Sequence, residues 1–316
     1  MAQSAVETPP DHFRLLKITG RDRVRFLHNF CTADIRGLVP GKATEAFFPD
    51  ARARIVAHGY VLMFEDQIQL WLLGDDPQRL RSHLDRYIIS DDVSLTVPPV
   101  TDSAVFSLVA DCPSDNFTAA ASGTCRILFP PDNSAAALFF AWNGRLLAGC
   151  CGDPTAVSAI CSETALQPYR LASHALQALR IAERFPIIGV DMSLEHLAPE
   201  ADRNSSAISF HKGCYLGQEP IARIDALGHI NRALRCVQVV AEDQPANNSK
   251  EVSAARIIGA ELLSADGSVA GRITSVVPTD NAFLALSVLR LATATNITEV
   301  RTETGLRLTA TVLERR

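Results

Sequence analysis

From Cys236 to the C-terminus the apolar residues fall in short runs: CVQVV (236–240), RIIGAELL (256–263), VAGRITSVV (269–277) and LRLTATVL (306–313). Polar turns part them, Ala265-Asp266-Gly267 being the clearest. Runs this short leave no space for packed helices and call for a small β-barrel or sandwich. The polar stretch AEDQPANNSKE (241–251) reads as a loop inside that β-domain.

The chain ahead of it has a different character. FRLLKI (13–18) reads as a strand ending at Thr19-Gly20, with Asp22 placed to cap a helix that carries Val24, Phe26, Leu27 and Phe30. YVLMF (60–64) and IQLWLL (68–73) flank a polar triplet as a hairpin would. Asp76-Pro77 is a cap followed by proline at the first helical position, and Leu80, Leu84, Tyr87 and Ile88 form one apolar face. Further strands are expected at 104–110, 126–129 and 138–142, with Asn143-Gly144 turning the last into RLLAG, and helices at 154–164 and 168–184. The pattern is α+β. With 316 residues there is material for more than one core, and the natural division is 1–232 and a terminal β-domain at 233–316.

A net charge of -5 disfavours bulk binding to nucleic acid or an anionic membrane. No apolar run is long enough to span a bilayer, and the first residues lack the basic and apolar regions of a secretory signal. Eight cysteines without a C-x-x-C pair, and no histidines three or four apart, suggest reduced thiols in a cytoplasmic protein and no stably bound metal.

Ile208 to Asp225, ISFHKGCYLGQEPIARID, is the densest unusual stretch. A short strand (ISF) runs into a turn holding Gly213 and Gly217, and EPIARID starts a helix with Pro220 in its first turn. Cys214 is thereby set near a helix N-terminus beside Lys212, two positive influences that favour a thiolate, with His211 as a proton partner. The same cysteine in a glycine turn is also compatible with a small buried hydrophobe.

KGCYLGQE (212–219) resembles the K-G-C-[FY]-x-G-Q-E signature of the YgfZ-type folate-binding proteins of iron–sulfur cluster maturation. ALRIAERFPIIGVD (178–191), LAPEA (197–201), EPIAR (219–223) and GHINRAL (228–234) are similar to further segments of that family. ITGRDRVRFLHNFCTADIRGL (18–38) is similar to the opening it shares with the glycine-cleavage aminomethyltransferase, or T-protein. The resemblance implies an α+β, T-protein-like three-lobed ring around a central tetrahydrofolate cavity, with two interleaved lobes in 1–232 and the β-barrel last. It implies Cys214 and Lys212 as the chemical pair, Phe13, Arg180 and Arg223 as folate contacts, and Gly213, Tyr215, Gly217, Gln218 and Glu219 as loop-forming residues. Phe13 also reads as an ordinary core residue, and either arginine as an ion-pair partner. The implied partners are folate and iron–sulfur assembly or client proteins.

Two departures bear on activity. The family's L-R-I-E-A-G is here Leu179-Arg180-Ile181-Ala182-Glu183-Arg184, its carboxylate shifted by one position and its glycine lost. Where aminomethyltransferases carry an aspartate beside the reactive folate nitrogen, Ala51-Arg52-Ala53-Arg54-Ile55-Val56-Ala57-His58 has no carboxylate. Loss of such a group commonly costs ~10²–10⁴-fold in rate, so true aminomethyl transfer is disfavoured. The expected function is folate-linked support of cluster assembly or repair; a one-carbon transferase or demethylase and a non-catalytic folate-regulated interaction module are the alternatives.

Overall fold

The computed structural model describes residues 13–98, 107–110, 125–142, 145–163, 173–241, 253–294, 297–303 and 307–314. The first segment contains β1 (Phe13–Thr19), α1 (Arg23–His28), β2 (Lys42–Pro49), β3 (Ile55–Met63), β4 (Gln67–Leu73), α2 (Pro77–Asp85) and β5 (Ser94–Thr96). Next come β6 (Ser107–Ala110), β7 (Cys125–Leu128), β8 (Ala135–Trp142), β9 (Arg145–Gly152), α3 (Pro154–Glu163) and α4 (Ser173–Glu183). Among the described residues these strands make one nine-stranded sheet in the order β5-β1-β4-β3-β2-β7-β8-β9-β6.

Strand alternation divides the core between the two faces of this sheet. Leu16 and Ile18 of β1, with Leu70 and Leu72 of β4, pack against Phe26 and Leu27 of α1 and Leu80 and Leu84 of α2. Phe13, Trp71 and Leu73 point the other way, into a cluster with Tyr60, Phe140, Trp142 and Phe185 that Leu176 and Leu179 of α4 cover. Both faces are occupied, which is why QIQLWLL is buried throughout. Asp76 caps α2 as its sequence predicts, accepting the Gln78 N–H at 2.9 Å.

A 3-10 turn (Ala198–Ala201), α5 (Asn204–Ala207) and α6 (Gln218–Leu227) lead to the last part: β10 (Arg232–Ala241), α7 (Ala254–Ile257), β11 (Glu261–Ser264), β12 (Val269–Pro278), β13 (Phe283–Arg290), α8 (Leu291–Ala294), β14 (Ile297–Arg301) and β15 (Arg307–Leu313). Six strands close a barrel in the order β10-β13-β12-β11-β14-β15 around Val237, Val239, Leu262, Ile273, Leu289 and Val300. Closure leaves no unpaired strand edge. No described helix is long and apolar enough to cross a membrane.

Several local expectations change. RIIGAELL is the one-turn α7, a break at Gly259 (φ +83°), and then β11. The positive φ ends the apolar run as a continuous strand. ISF forms no ladder strand; its Ser209 N–H bonds the isolated Thr32 carbonyl at 2.9 Å. Asp22 does not cap α1 with its side chain, because its carboxylate accepts the Asp92 N–H at 2.9 Å. The sequence reading missed β2, β5, β13 and β14. Residues 143–144 and 164–172, part of the expected 104–110 strand, and the 241–251 loop after its first residue lie outside the described residues.

Candidate functional site

The cysteine loop is built on the end of α1. Leu216 N–H donates to the Asn29 carbonyl at 2.8 Å, and Thr32 Oγ1 donates to the Ala207 carbonyl at 2.5 Å. Lys212 is buried, and its ammonium donates to the carbonyls of His28 (2.6 Å), Cys31 (2.8 Å) and Ala33 (2.8 Å). The same nitrogen lies 4.9 Å from the buried Tyr215 ring centroid, within cation–π range. Burial lowers the Lys212 pKa from its ordinary value. His28 lies beneath it, buried, with neither ring nitrogen hydrogen-bonded among the described residues and Asp34 at 3.6 Å; burial, then Lys212, lowers its pKa.

Gly217 (φ +79°) begins α6, and a Cβ there would collide with the Asp50 carbonyl and stand 3.1 Å from Ala53 Cα. Only glycine satisfies both demands. The close approach seats the loop on residues 50–53. Here Asp50 Oδ1 accepts the backbone N–H groups of Arg52 (2.8 Å) and Arg54 (2.9 Å) and so serves as a turn cap. Gln218 opens the helix with its N–H on the Tyr215 carbonyl at 3.1 Å; Glu219 is exposed in the first turn, where its charge suits the helix dipole.

Between these anchors Phe210, His211, Gly213 and Cys214 face solvent. Cys31, Cys125, Cys150, Cys151, Cys161 and Cys236 are buried, whereas Cys214 is exposed. Burial pushes Cys31 and Cys236 up to about 11 and Cys125 and Cys151 up to about 12, keeping them protonated.

The expected folate contacts are not gathered with this loop. Phe13 is buried in the aromatic cluster, its ring centroid 5.8 Å from Trp71, 6.2 Å from Tyr60 and 6.3 Å from Phe140. Arg180 is wholly buried and bonded to Gln177 Oε1 (2.7 Å), the Phe185 carbonyl (3.0 Å), Asp191 Oδ2 (2.6 Å) and Ser275 Oγ (2.8 Å). It therefore bolts α4 to β12 of the barrel, the ion-pair role its sequence context allowed. Arg223 is exposed on α6.

A second polar centre was not anticipated. Glu45 of β2 accepts His58 Nε2 at 2.7 Å through Oε1 and Arg203 Nη2 at 2.6 Å through Oε2; Arg203 Nε also bonds Oε1. Arg203 Nη1 reaches Glu183 Oε1 at 3.0 Å, and its guanidinium lies 5.2 Å from the Phe185 ring centroid. Burial would raise the Glu45 pKa, but attraction and hydrogen bonds from Arg203, then His58, hold it down at about 2. The visible signal is a charged residue and a histidine inside two otherwise apolar strands, KATEAFFP and IVAHGYVLM.

Comparison with known proteins bears on this geometry. A glycine cleavage system aminomethyltransferase T from Bartonella henselae superposes with a TM-score of 0.68 at 16% identity, covering 97% of this chain and 85% of that one. The fold is therefore that of the glycine-cleavage T-proteins, with a curled sheet and a closed six-stranded barrel. In sequence the chain is similar to YgfZ proteins: a tRNA-modifying protein YgfZ of Yersinia enterocolitica is 28% identical over 250 residues, 75% of this chain and 72% of its own length. One of Colwellia psychrerythraea is 36% identical over 86 residues, 27% and 26% of the two chains. A putative chloroplastic transferase of Arabidopsis thaliana is 25% identical over 281 residues, 84% of this chain but 60% of the plant protein. The chain thus spans less than two thirds of the plant relative and about a quarter of the Colwellia one. No family model matches the chain. Among the described residues no three His, Cys, Asp or Glu side chains gather as a metal-ligand set.

Proposed function

We propose that this protein binds tetrahydrofolate and supports the assembly or repair of iron–sulfur clusters in client enzymes, with Cys214 as its working thiol. The observation that carries the reading is the contrast in exposure: Cys214 stands in solvent while the six other described cysteines are enclosed. A thiol must be reached before it can attack, accept sulfur or ligate a metal. One thiol does not hold a cluster alone, so partner residues or glutathione would supply the other ligands. The two bacterial relatives are named tRNA-modifying proteins, which makes a tRNA-modifying iron–sulfur enzyme the client to assay first.

Tetrahydrofolate joins a flat ring with a polar edge to an anionic tail. The resemblance would set the ring against the aromatic cluster of Phe13, Tyr60, Trp71, Phe140, Trp142 and Phe185, whose side chains are buried against one another, so the rings would have to part to admit it. Gln177 Nε2, buried without a partner among the described residues on the helix that covers this cluster, offers a spare donor for the edge. The tail fits less well: Arg180 is committed to protein groups, and exposed Arg223 is the remaining cation of the expected pair. Bound folate would supply a redox-active or one-carbon-carrying ring; these residues would bind and orient it.

Two measurements test the reading. Tetrahydrofolate at 100 times its Kd stabilises a binding protein by about 2.7 kcal/mol; no thermal shift well above micromolar concentration removes folate from the account. Cells carrying Cys214→Ser should lose client-enzyme activity, and normal activity would remove the thiol. A one-carbon transferase is the competing reading, carried by the plant relative's name and opposed by the absence of a carboxylate in the stretch 51–58 that resembles the T-protein aspartate segment. Turnover of a methylated or aminomethylated amine with tetrahydrofolate would decide for it.

A further inference from the structure

The three carbonyl oxygens around Lys212 Nζ form a small cation cage, and every one of its oxygens comes from the main chain between His28 and Ala33. An ammonium has three N–H donors, and all three are used. None is left to hydrogen-bond the sulfur of Cys214, so any direct influence of Lys212 on the thiolate is through its charge alone. What Lys212 does have is leverage. The carbonyl of His28 is the last of α1, an end that carries partial negative charge, and the lysine on the opposing loop neutralises it.

We infer that Lys212 is the positioning residue for Cys214: its ammonium plugs the carbonyl cage at the end of α1 and thereby holds the cysteine loop in the one register that turns the thiol to solvent. The inference rests on the reading of Cys214 as the working thiol. Its geometry is a set of inward and outward alternations. Ala207, Lys212 and Tyr215 are buried and Ser209 and Leu216 bond the 29–32 main chain, while His211, Gly213 and Cys214 face outward. Lys212 is the charged member of the inward set, placed two residues before the thiol. The Tyr215 ring beside the ammonium closes the cage on the loop side. Arginine is a poor substitute, because a planar guanidinium does not direct its donors at three oxygens converging on a point.

The full-length protein gives the test in three readouts. In Lys212→Met, amide exchange across 209–217 should accelerate on the order of 100-fold, since charge-assisted bonds are removed. The pH profile of Cys214 alkylation by iodoacetamide should keep its midpoint while its amplitude changes with the loosened loop. In Lys212→Ala, ethylammonium should refill the cage and restore loop protection. In the unaltered protein Lys212 should react with an amine-selective ester on the order of 100-fold more slowly than half-buried Lys17 and Lys42, a readout that needs no variant to fold. A displaced midpoint with unchanged loop protection would return Lys212 to a direct electrostatic role and overturn the inference, as would labelling as fast as Lys17. If Cys214 proves inert in the native protein while Lys212 is protected and the loop opens in Lys212→Met, the latch stands and the thiol reading fails.

Discussion

Replacing Glu45 by Gln is the sharpest probe of how the sheet and the α4–α5 region are joined. The carboxylate sits between Arg203 and His58 with hydrogen bonds at 2.6 and 2.7 Å, and Arg203 retains Glu183 when it is lost. Removing one partner of a buried pair costs about 3–5 kcal/mol, because the other charge stays buried. Glutamine keeps the shape and one acceptor, and Glu183 keeps part of the countercharge, so about 3 kcal/mol is expected. Acid titration gives an independent figure. The native pKa of Glu45 is down at about 2 against 4.5 for the unshifted group. A depressed native pKa gives stability that is complete above the unfolded pKa and is lost as pH falls through the native one. The difference, at about 1.36 kcal/mol per unit, is about 3 kcal/mol, surrendered between about pH 4.5 and 2. Urea unfolding followed by the fluorescence of Trp71 and Trp142, both in the same sheet, measures both quantities. A loss below about 1 kcal/mol at neutral pH, or an acid slope in Glu45→Gln equal to that of the parent, would refute the reasoning.

Gly217→Ala adds a Cβ against the Asp50 carbonyl at a positive φ; amide exchange in 209–217 should rise and Cys214 alkylation change, and parental values for both would contradict the packing described. Arg180→Met leaves Asp191 buried with the Ser275 and Thr274 hydroxyls but no cation; a cost of about 3–5 kcal/mol, seen as faster exchange in β12 and α4, is expected. Tyr60→Phe deprives the Trp142 indole N–H of its acceptor, 3.0 Å away; about 1 kcal/mol should be lost with a shift in tryptophan emission.

What was readable in the sequence was local. The Asp76-Pro77 start of α2 and the apolar alternation of β1 and β4 are written in neighbouring residues, and they stand in the fold as expected. The break at Gly259 was missed because RIIGAELL satisfies a strand pattern until the backbone turn intervenes. At the candidate site, the motif marked the cysteine loop, yet the destination of Lys212 depended on carbonyls about 180 residues earlier in the chain. The Glu45–Arg203 pair is separated by 158 residues, and no local periodicity joins such positions. The family resemblance marked Arg180 and Arg223 as folate contacts; burial separated them, one into a bolt between α4 and the barrel and the other onto an open helix face.

Every ladder among β1 to β5 is contained within residues 13–96, whereas β2 meets β7 through only the pairs Lys42–Arg126 and Ala43–Cys125. A ribosome making this chain therefore releases a complete set of mutually satisfied strands before Cys125 leaves the exit tunnel. The cage carbonyls and the Asp50 turn both precede the cysteine loop in the chain, so the surface on which that loop docks is synthesised first.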